Sequence, residues 1–144
     1  MKRTAFRTLT VILGTVALLS AIPAAAQIDN AVTFDTPFAF YAGNAKMPAG
    51  SYRVTQPDIT SPLLQVETAD GSHSAFVEFL PVNSPSVAPR SEVTFKKYGN
   101  ADFLSGISLQ GQDFGMEIPA SKVEANAAKA AAAVKHTLSA KNGR

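Results

Sequence analysis

The chain has 144 residues and no cysteine, and its 13 lysines and arginines against 11 acidic residues give a formal net charge of +2. The absence of cysteine excludes disulfide bonds and thiolate metal sites, and only two histidines are available as metal ligands. The 118 residues that follow position 26 are enough for one folded domain and too few for two of typical size.

The first 26 residues have the pattern of a secretory signal peptide. Lys2, Arg3 and Arg7 are its only charged side chains, and an apolar run from position 9 to position 22 follows them. A positively charged start, a short apolar middle and a small-residue end are the three parts of an export signal. The run is shorter than the roughly 20 residues that span a bilayer, which argues against a membrane anchor.

Cleavage is predicted between Ala26 and Gln27, with Ala24 and Ala26 as the small residues that a signal peptidase reads. The mature protein is therefore predicted to be extracytoplasmic, either periplasmic or secreted. No later apolar stretch is long enough to cross a bilayer, so no transmembrane segment is predicted after cleavage.

Removing the signal segment leaves ten cations against eleven acids, a net charge of −1. The charge is uneven, because residues 27–119 carry −5 and residues 120–144 carry +4. An acidic body of this kind does not have the charge of a nucleic-acid-binding domain. A basic tail predicts that the tail folds back on the body or reaches an anionic partner, unless it is simply a solvated helix face.

Short β-branched and aromatic segments, separated by turn residues, follow one another from residue 31 to residue 118. Hairpins are predicted at Asp70-Gly71 and Gly99-Asn100, because these residue pairs tolerate positive φ, and Gly106 predicts a bend or bulge. About seven strands at a spacing of roughly 12 residues are typical of an all-β domain. Residues 27–119 are therefore predicted to form a mainly β domain, an antiparallel sandwich or a small barrel.

Residues 120–144 are predicted to form an Ala/Lys-rich helical tail. Ser121 and Glu124 have the spacing of a capping box, and alanine-rich sequence with one thin apolar stripe continues to about Leu138. A helix of this kind is marginal alone in water and buries little area, so the tail is predicted to be weakly held and separable from the body. Three lysines of the tail are candidate partner-binding residues: Lys122, Lys129 and Lys135.

The sequence predicts no catalytic, metal or cofactor site. His73 lies beside Asp70 and Ser72, but no nucleophile elbow or other catalytic motif accompanies them. His136, placed on the predicted tail helix, has no second histidine or carboxylate three or four residues away, as a helical metal site requires. Three glutamates at strand positions lack the spacing of a catalytic pair: Glu78, Glu92 and Glu117.

Five segments of the chain resemble a family of small secreted proteins of Acidobacteria and related bacteria. They cover most of residues 31–124 and contain the motifs PFAF at 37–40, AKMPAGSYRV at 45–54, VTFKKYG at 93–99, DFLS at 102–105 and GMEIPAS at 115–121. The sequence departs from the family at Lys96, where the family tends to have histidine, and at Ser108, where it tends to have tryptophan. The resemblance implies export from a Gram-negative cell and brings no activity, cofactor or site residue with it.

These observations favour an exported, non-enzymatic β domain that binds a protein partner or an envelope component. A carrier of small apolar ligands is the first alternative, with a pocket between the sheets lined by aromatic residues such as Tyr41, Tyr52, Phe95 and Phe103. Alternatively, the same aromatic residues simply fill the hydrophobic core. A hydrolase is the second alternative, and no cofactor is predicted for any of the three.

Overall fold

The computed structural model describes residues 31–143, so the predicted signal segment, including Ala24, Ala26 and Gln27, lies outside the described residues. The described part is mainly β and forms a two-sheet sandwich rather than a closed barrel, which confirms the predicted fold class. Its strands and helix are β1 (Val32–Thr36), β2 (Phe40–Ala42), β3 (Ala45–Met47), β4 (Gly50–Thr55), β5 (Leu63–Thr68), β6 (Ser74–Glu78), β7 (Leu80–Asn83), β8 (Glu92–Tyr98), β9 (Ala101–Ser108), β10 (Phe114–Glu117), α1 (Lys122–Ala130), β11 (Ala133–Ser139) and β12 (Lys141–Asn142).

The strands form two sheets. Sheet A has five strands in the order β12-β1-β4-β5-β6, and sheet B has seven. Five strands of sheet B follow the order β11-β8-β9-β10-β7, while β2 lies beside β9 and β3 pairs with β2. The pairing of β2 with β9 is parallel, and the other pairings of the described strands are antiparallel.

Both predicted hairpins are present. The β5–β6 turn contains Gly71 with φ of +73°, and the β8–β9 turn contains Gly99 with φ of +60°. Glycine adopts these left-handed conformations without a steric penalty, so the local sequence fixes both turns. The predicted irregularity near Gly106 is also present. Thr94 pairs with Gly106 while Phe95 pairs with Leu104, so a bulge separates these two pairs on β9.

The residues that follow the Asp70-Gly71 turn, 74–82, have the pattern of one continuous strand and are predicted as one, but this prediction is wrong because the chain changes sheets at Phe79. In β6 the side chains of Ala75 and Val77 point into the core, whereas Leu80 and Val82 in β7 are exposed on sheet B. Breaks of this kind, together with two strands from the tail, explain why the described chain has twelve strands instead of about seven.

The core between the sheets is built around four large aromatic side chains. Phe34 stacks on Tyr52 with ring centroids 5.4 Å apart, and Phe40 meets the edges of Tyr52 and Phe95 at 5.0 and 5.3 Å. All four are almost fully buried. Burial of each such side chain contributes roughly 1.5–3 kcal/mol, so this cluster supplies much of the stability that the chain cannot obtain from disulfides.

The predicted helix from Ser121 to Leu138 is only half correct. The helix ends at Ala130, Ala131 is extended with φ of −150° and ψ of 152°, and residues 133–139 form β11. All seven residues of β11 pair with β8. Pairing with the edge of β8 gives β11 a full ladder of backbone hydrogen bonds and buries the apolar side of the strand. This stabilisation exceeds the weak helix preference of an alanine-rich segment.

The last residues also tie the two sheets together. After β11 ends in sheet B, the chain passes Ala140 and joins sheet A as β12. The Ala140 N–H donates to the carbonyl of buried Ser91 at 2.9 Å, and the Ser91 hydroxyl donates to Asn142 Oδ1 at 2.6 Å. The tail is therefore part of both sheets, which contradicts the prediction that it is separable and weakly held.

Helix α1 begins as the capping box predicts, since the Ser121 hydroxyl accepts from the Glu124 N–H at 3.1 Å. The Glu124 carboxylate does not turn back to Ser121; instead it is buried and accepts from the Tyr98 hydroxyl at 3.1 Å. Burial, and then the Glu124 hydrogen bond and charge, raise the pKa of Tyr98 above its ordinary value. Among residues 31–143 no helix is long and apolar enough to cross a membrane.

Candidate functional site

The structure separates the three lysines that the sequence groups as partner-binding candidates. Lys122 and Lys129 lie on α1, where the Lys129 ammonium donates to Asn126 Oδ1 at 3.3 Å. Lys135 lies on β11 and faces the outer side of sheet B, directly opposite Lys96 of β8. Only Lys135 therefore belongs to a site formed by several strands.

Lys96 and Lys135 stand at one end of a shallow groove on the outer face of sheet B, which we call the lysine groove. Its volume is about 210 Å³. Small side chains form its floor, and a Cβ at Gly106 would approach the Met116 carbonyl oxygen to 3.2 Å. A side chain at this position would therefore crowd the backbone of β10 and fill part of the groove. The groove is defined by six of its lining residues: Thr94, Lys96, Gly106, Ser108, Glu117 and Lys135.

The charges of the lysine groove are not balanced at close range. Residues directly opposite in an antiparallel pair have Cβ atoms about 5 Å apart, and like charges there repel each other. Within residues 31–143 neither Lys96 nor Lys135 has a carboxylate oxygen within 4.0 Å; the ion pairs found there are Arg90–Glu92 and His136–Asp102. Glu117 lies two strands away from β8 and level with Thr94, two residues from Lys96, which separates the two backbones by roughly 12 Å. The groove is therefore positive at one end and negative at the other.

The residues around His73 do not form a catalytic triad. The Ser72 hydroxyl donates to Asp70 Oδ1 at 2.7 Å and lies 3.0 Å from His73 Nδ1, so the serine bridges the other two. A triad needs the histidine between serine and carboxylate. The Thr68 hydroxyl and the Ser72 amide and hydroxyl lower the pKa of Asp70 to about 2. This cluster stabilises the β5–β6 turn.

His136 is part of a pair with the buried Asp102 that the sequence does not predict. Its Nε2–H donates to Asp102 Oδ1 at 2.7 Å, and the two side chains are 32% and 6% exposed. The imidazole stacks on Phe95 with ring centroids 5.6 Å apart, and Phe38 meets it edge-on at 5.2 Å. The pair was missed because a helical tail places His136 far from β9. The alternation of His136 and Leu138 on one side of the tail is the signal that indicates a strand.

Asp102 also lines a pocket at the end of the sandwich beside the β8–β9 turn, which we call the end pocket. Its volume is about 470 Å³. The pocket combines aromatic rings, two cationic side chains and two planar polar groups. The residues that matter for its chemistry are Phe38, Tyr41, Lys46, Lys97, Asn100 and Asp102. Within residues 31–143 no group of three or more histidine and acidic side chains has the arrangement of a metal site.

The four aromatic residues considered for an apolar carrier pocket have two different surroundings. Tyr52 and Phe95 are buried in the core cluster between the sheets. Tyr41 and Phe103 stack on each other with centroids 4.9 Å apart, where β2 lies beside β9. These residues therefore do not line one common cavity.

No family model, no curated protein and no solved structure matches this chain. The resemblance to secreted proteins of Acidobacteria therefore stays a prediction. The structure adds one relevant observation. Lys96 and Ser108, the two positions where the sequence departs from that family, both line the lysine groove.

Proposed function

We propose that the protein is an exported, non-enzymatic β domain that binds a phosphate-bearing component of the cell envelope through the lysine groove. The observation that carries this proposal is the cross-strand pair Lys96–Lys135, which has no carboxylate within 4.0 Å among the described residues. An anion between the two ammonium groups would remove their repulsion and accept hydrogen bonds from both.

The shape of the groove is consistent with a small anionic group. Gly106 has no side chain to fill the space above the sheet, and the hydroxyl of Thr94, two residues from Lys96 on the same face of β8, provides a further donor. Glu117 at the opposite end disfavours an anion there, so the phosphate is expected at the lysine end. The site is open to solvent, so its electrostatic attraction decreases as salt screens the charges.

The envelope location rests on the predicted signal peptide at residues 1–26. A protein exported from a Gram-negative cell meets phosphate groups both on lipid headgroups and on glycans. The proposed ligand chemistry is the phosphate group itself, and separate binding measurements with a phospholipid and a sugar phosphate distinguish the two sources.

The carrier and hydrolase alternatives have less support. A carrier of apolar ligands needs space between the sheets, and Tyr52 and Phe95 occupy that space as core. A hydrolase with a serine nucleophile needs a histidine placed between the serine and a carboxylate, and the cluster at His73 has a different order.

Binding of the purified protein to vesicles of phosphatidylcholine with and without phosphatidylglycerol tests the proposal, together with titration of glucose 1-phosphate followed by NMR. We expect anion-dependent binding that weakens roughly 25- to 100-fold in a Lys96→Gln/Lys135→Gln variant, because two charge-assisted hydrogen bonds are lost. Glu117→Gln should strengthen binding by about twofold, since it removes a repulsive charge.

Vesicle binding without sugar-phosphate binding would identify a lipid headgroup as the source, and the reverse result would identify a glycan. Equal binding of the double variant and the unsubstituted protein would refute the proposed site. Binding that does not depend on phosphate in either arm would refute the proposed ligand chemistry.

A further inference from the structure

The end pocket has a different chemistry from the lysine groove and shares none of its six defining residues. Its volume of about 470 Å³ falls in the range of small-molecule sites, roughly 300–1,000 Å³. It lies where the turn between β8 and β9 approaches β2 and the start of β3, because Asn100, Tyr41 and Lys46 all line it.

The wall of this pocket contains a buried carboxylate with one oxygen available. Asp102 Oδ1 accepts from His136, and within residues 31–143 no donor is hydrogen-bonded to Oδ2. No buried polar atom in the described part is sealed from solvent without a partner, so Oδ2 keeps some access. A carboxylate that is 94% buried is costly unless it is hydrogen-bonded. A ligand hydroxyl donating to Oδ2 would complete its hydrogen bonding.

His136 holds this carboxylate in place. The imidazole is fixed between the rings of Phe95 and Phe38, so its Nε2–H points at Asp102 with little freedom. His136 itself does not line the end pocket. It therefore acts as a positioning residue for the acceptor rather than as a ligand contact.

The remaining lining indicates which kind of molecule fits. Aromatic faces from Phe38 and Tyr41 suit a ring with C–H groups on one face, while Asp102 and the Asn100 amide suit hydroxyls at its edge. Lys46 and Lys97 add two positive charges, and among the described residues neither has a carboxylate within 4.0 Å. A pyranose ring with a carboxylate substituent matches all three features.

We propose that the end pocket binds an acidic monosaccharide unit of the hexuronate type, with its hydroxyls on Asp102 and Asn100 and its carboxylate on Lys97. This site is separate from the lysine groove, so each can fail without the other. The sugar carboxylate is also chemically distinct from the phosphate proposed for the groove.

Tyrosine ring resonances offer a direct test, because two of the chain's three tyrosines, Tyr41 and Tyr98, line the pocket, and the third, Tyr52, is in the core. Titration of the purified protein with galacturonate should shift the Tyr41 and Tyr98 signals saturably and leave Tyr52 unchanged. Galactose, which lacks the carboxylate, should bind about tenfold more weakly.

Two variants make the test specific. Lys97→Gln, at an exposed position, should bring galacturonate affinity down to that of galactose, and Asn100→Ala should weaken both sugars together. Lys129→Gln on α1 is the matched control and should change neither. Absence of saturable binding, equal affinities for the two sugars in the unsubstituted protein, or a Lys97→Gln variant that keeps the preference would each overturn the proposal.

Discussion

Helix α1 and strand β11 come from the same Ala/Lys-rich segment, are nine and seven residues long, and are separated by two alanines. The first is held by its own cap and by a buried contact of Glu124 with Tyr98. The second is held by a neighbouring strand over its whole length. A segment with a weak helix preference therefore forms a helix or a strand according to which strand edge the rest of the fold leaves unpaired.

In this fold the strand edge that the rest of the chain leaves unpaired is the side of β8 that faces away from β9. Without β11, this edge would expose its backbone polar groups, and the core side chains Val93 and Phe95 would lose the cover that Leu138 and His136 provide. A helix continued through Leu138 would place these two side chains about 200° apart, as successive second neighbours on a helix are. A strand places both on the same face.

The same difference divides the lysines. Lys129 on α1 donates to Asn126 of the same helix, whereas Lys135 on β11 faces Lys96 across the strand pair. Residues of the same type, six positions apart, therefore have different electrostatic surroundings. Only the second is expected to gain from an added anion.

Deleting residues 131–144 should have the largest effect on this comparison. The deletion opens the β8 edge, removes β12 from sheet A and uncovers the apolar surface under Leu138, so we expect a loss of at least about 4 kcal/mol or of cooperative folding altogether. Urea unfolding followed by circular dichroism measures it. A truncated chain that unfolds at the same urea concentration would show that the tail is separable after all.

Replacing His136 by alanine should have the next largest effect. The substitution leaves the buried Asp102 carboxylate without its hydrogen bond and removes a ring from the Phe95 stack, at a cost of about 2–3 kcal/mol. Val134→Ala on the same strand is the control, since Val134 is 64% exposed, and it should cost less than about 0.5 kcal/mol. Equal effects of the two substitutions would contradict a specific role for the pair.

Tyr98→Phe should have a smaller effect, centred on α1. It removes the donor to the buried Glu124 carboxylate, and we expect a loss of about 1–2 kcal/mol at neutral pH. Because the pKa of Tyr98 is raised in the folded state, its stabilising contribution is complete below the unfolded pKa and is lost as pH rises through the folded pKa.

The unfolding free energy of the unsubstituted protein should therefore fall more steeply above about pH 10 than that of Tyr98→Phe. Chemical denaturation at a series of alkaline pH values measures both slopes. Tyr41→Phe is the control for loss of a phenol elsewhere. Parallel slopes for the Tyr98→Phe variant and the unsubstituted protein would contradict the assigned contact.

Local chemistry made part of this fold predictable. The turns at Gly71 and Gly99 and the cap at Ser121 depend on residues within four positions of each other, so the sequence predicts them correctly. The break at Phe79 depends on which sheet has a free edge, and this is a property of the assembled fold. The only local sign of this break is that the inward-facing residues of β6, Ala75 and Val77, are buried, whereas the residues of β7 are exposed.

The candidate sites were predictable only in part. Lys135 was identified from the charge of the tail, but its partner Lys96 depends on the register of β11 against β8. Asp102 and His136 are 34 positions apart and meet only because the tail is a strand. Predicting residues 133–139 as helix therefore hid the contact between Asp102 and His136.

The most direct test compares two single substitutions in the tail, Lys135→Gln and Lys129→Gln, for binding to phosphatidylglycerol vesicles and to glucose 1-phosphate at low ionic strength. If the cross-strand lysine pair binds the phosphate group, Lys135→Gln should weaken binding about five- to tenfold and Lys129→Gln less than twofold. Lys129→Gln should unfold at the same urea concentration as the unsubstituted protein, and Lys135→Gln at the same or a slightly higher one, because it removes the cross-strand repulsion. Equal weakening by the two substitutions, or a larger effect of Lys129→Gln, would contradict the proposed role of the lysine groove.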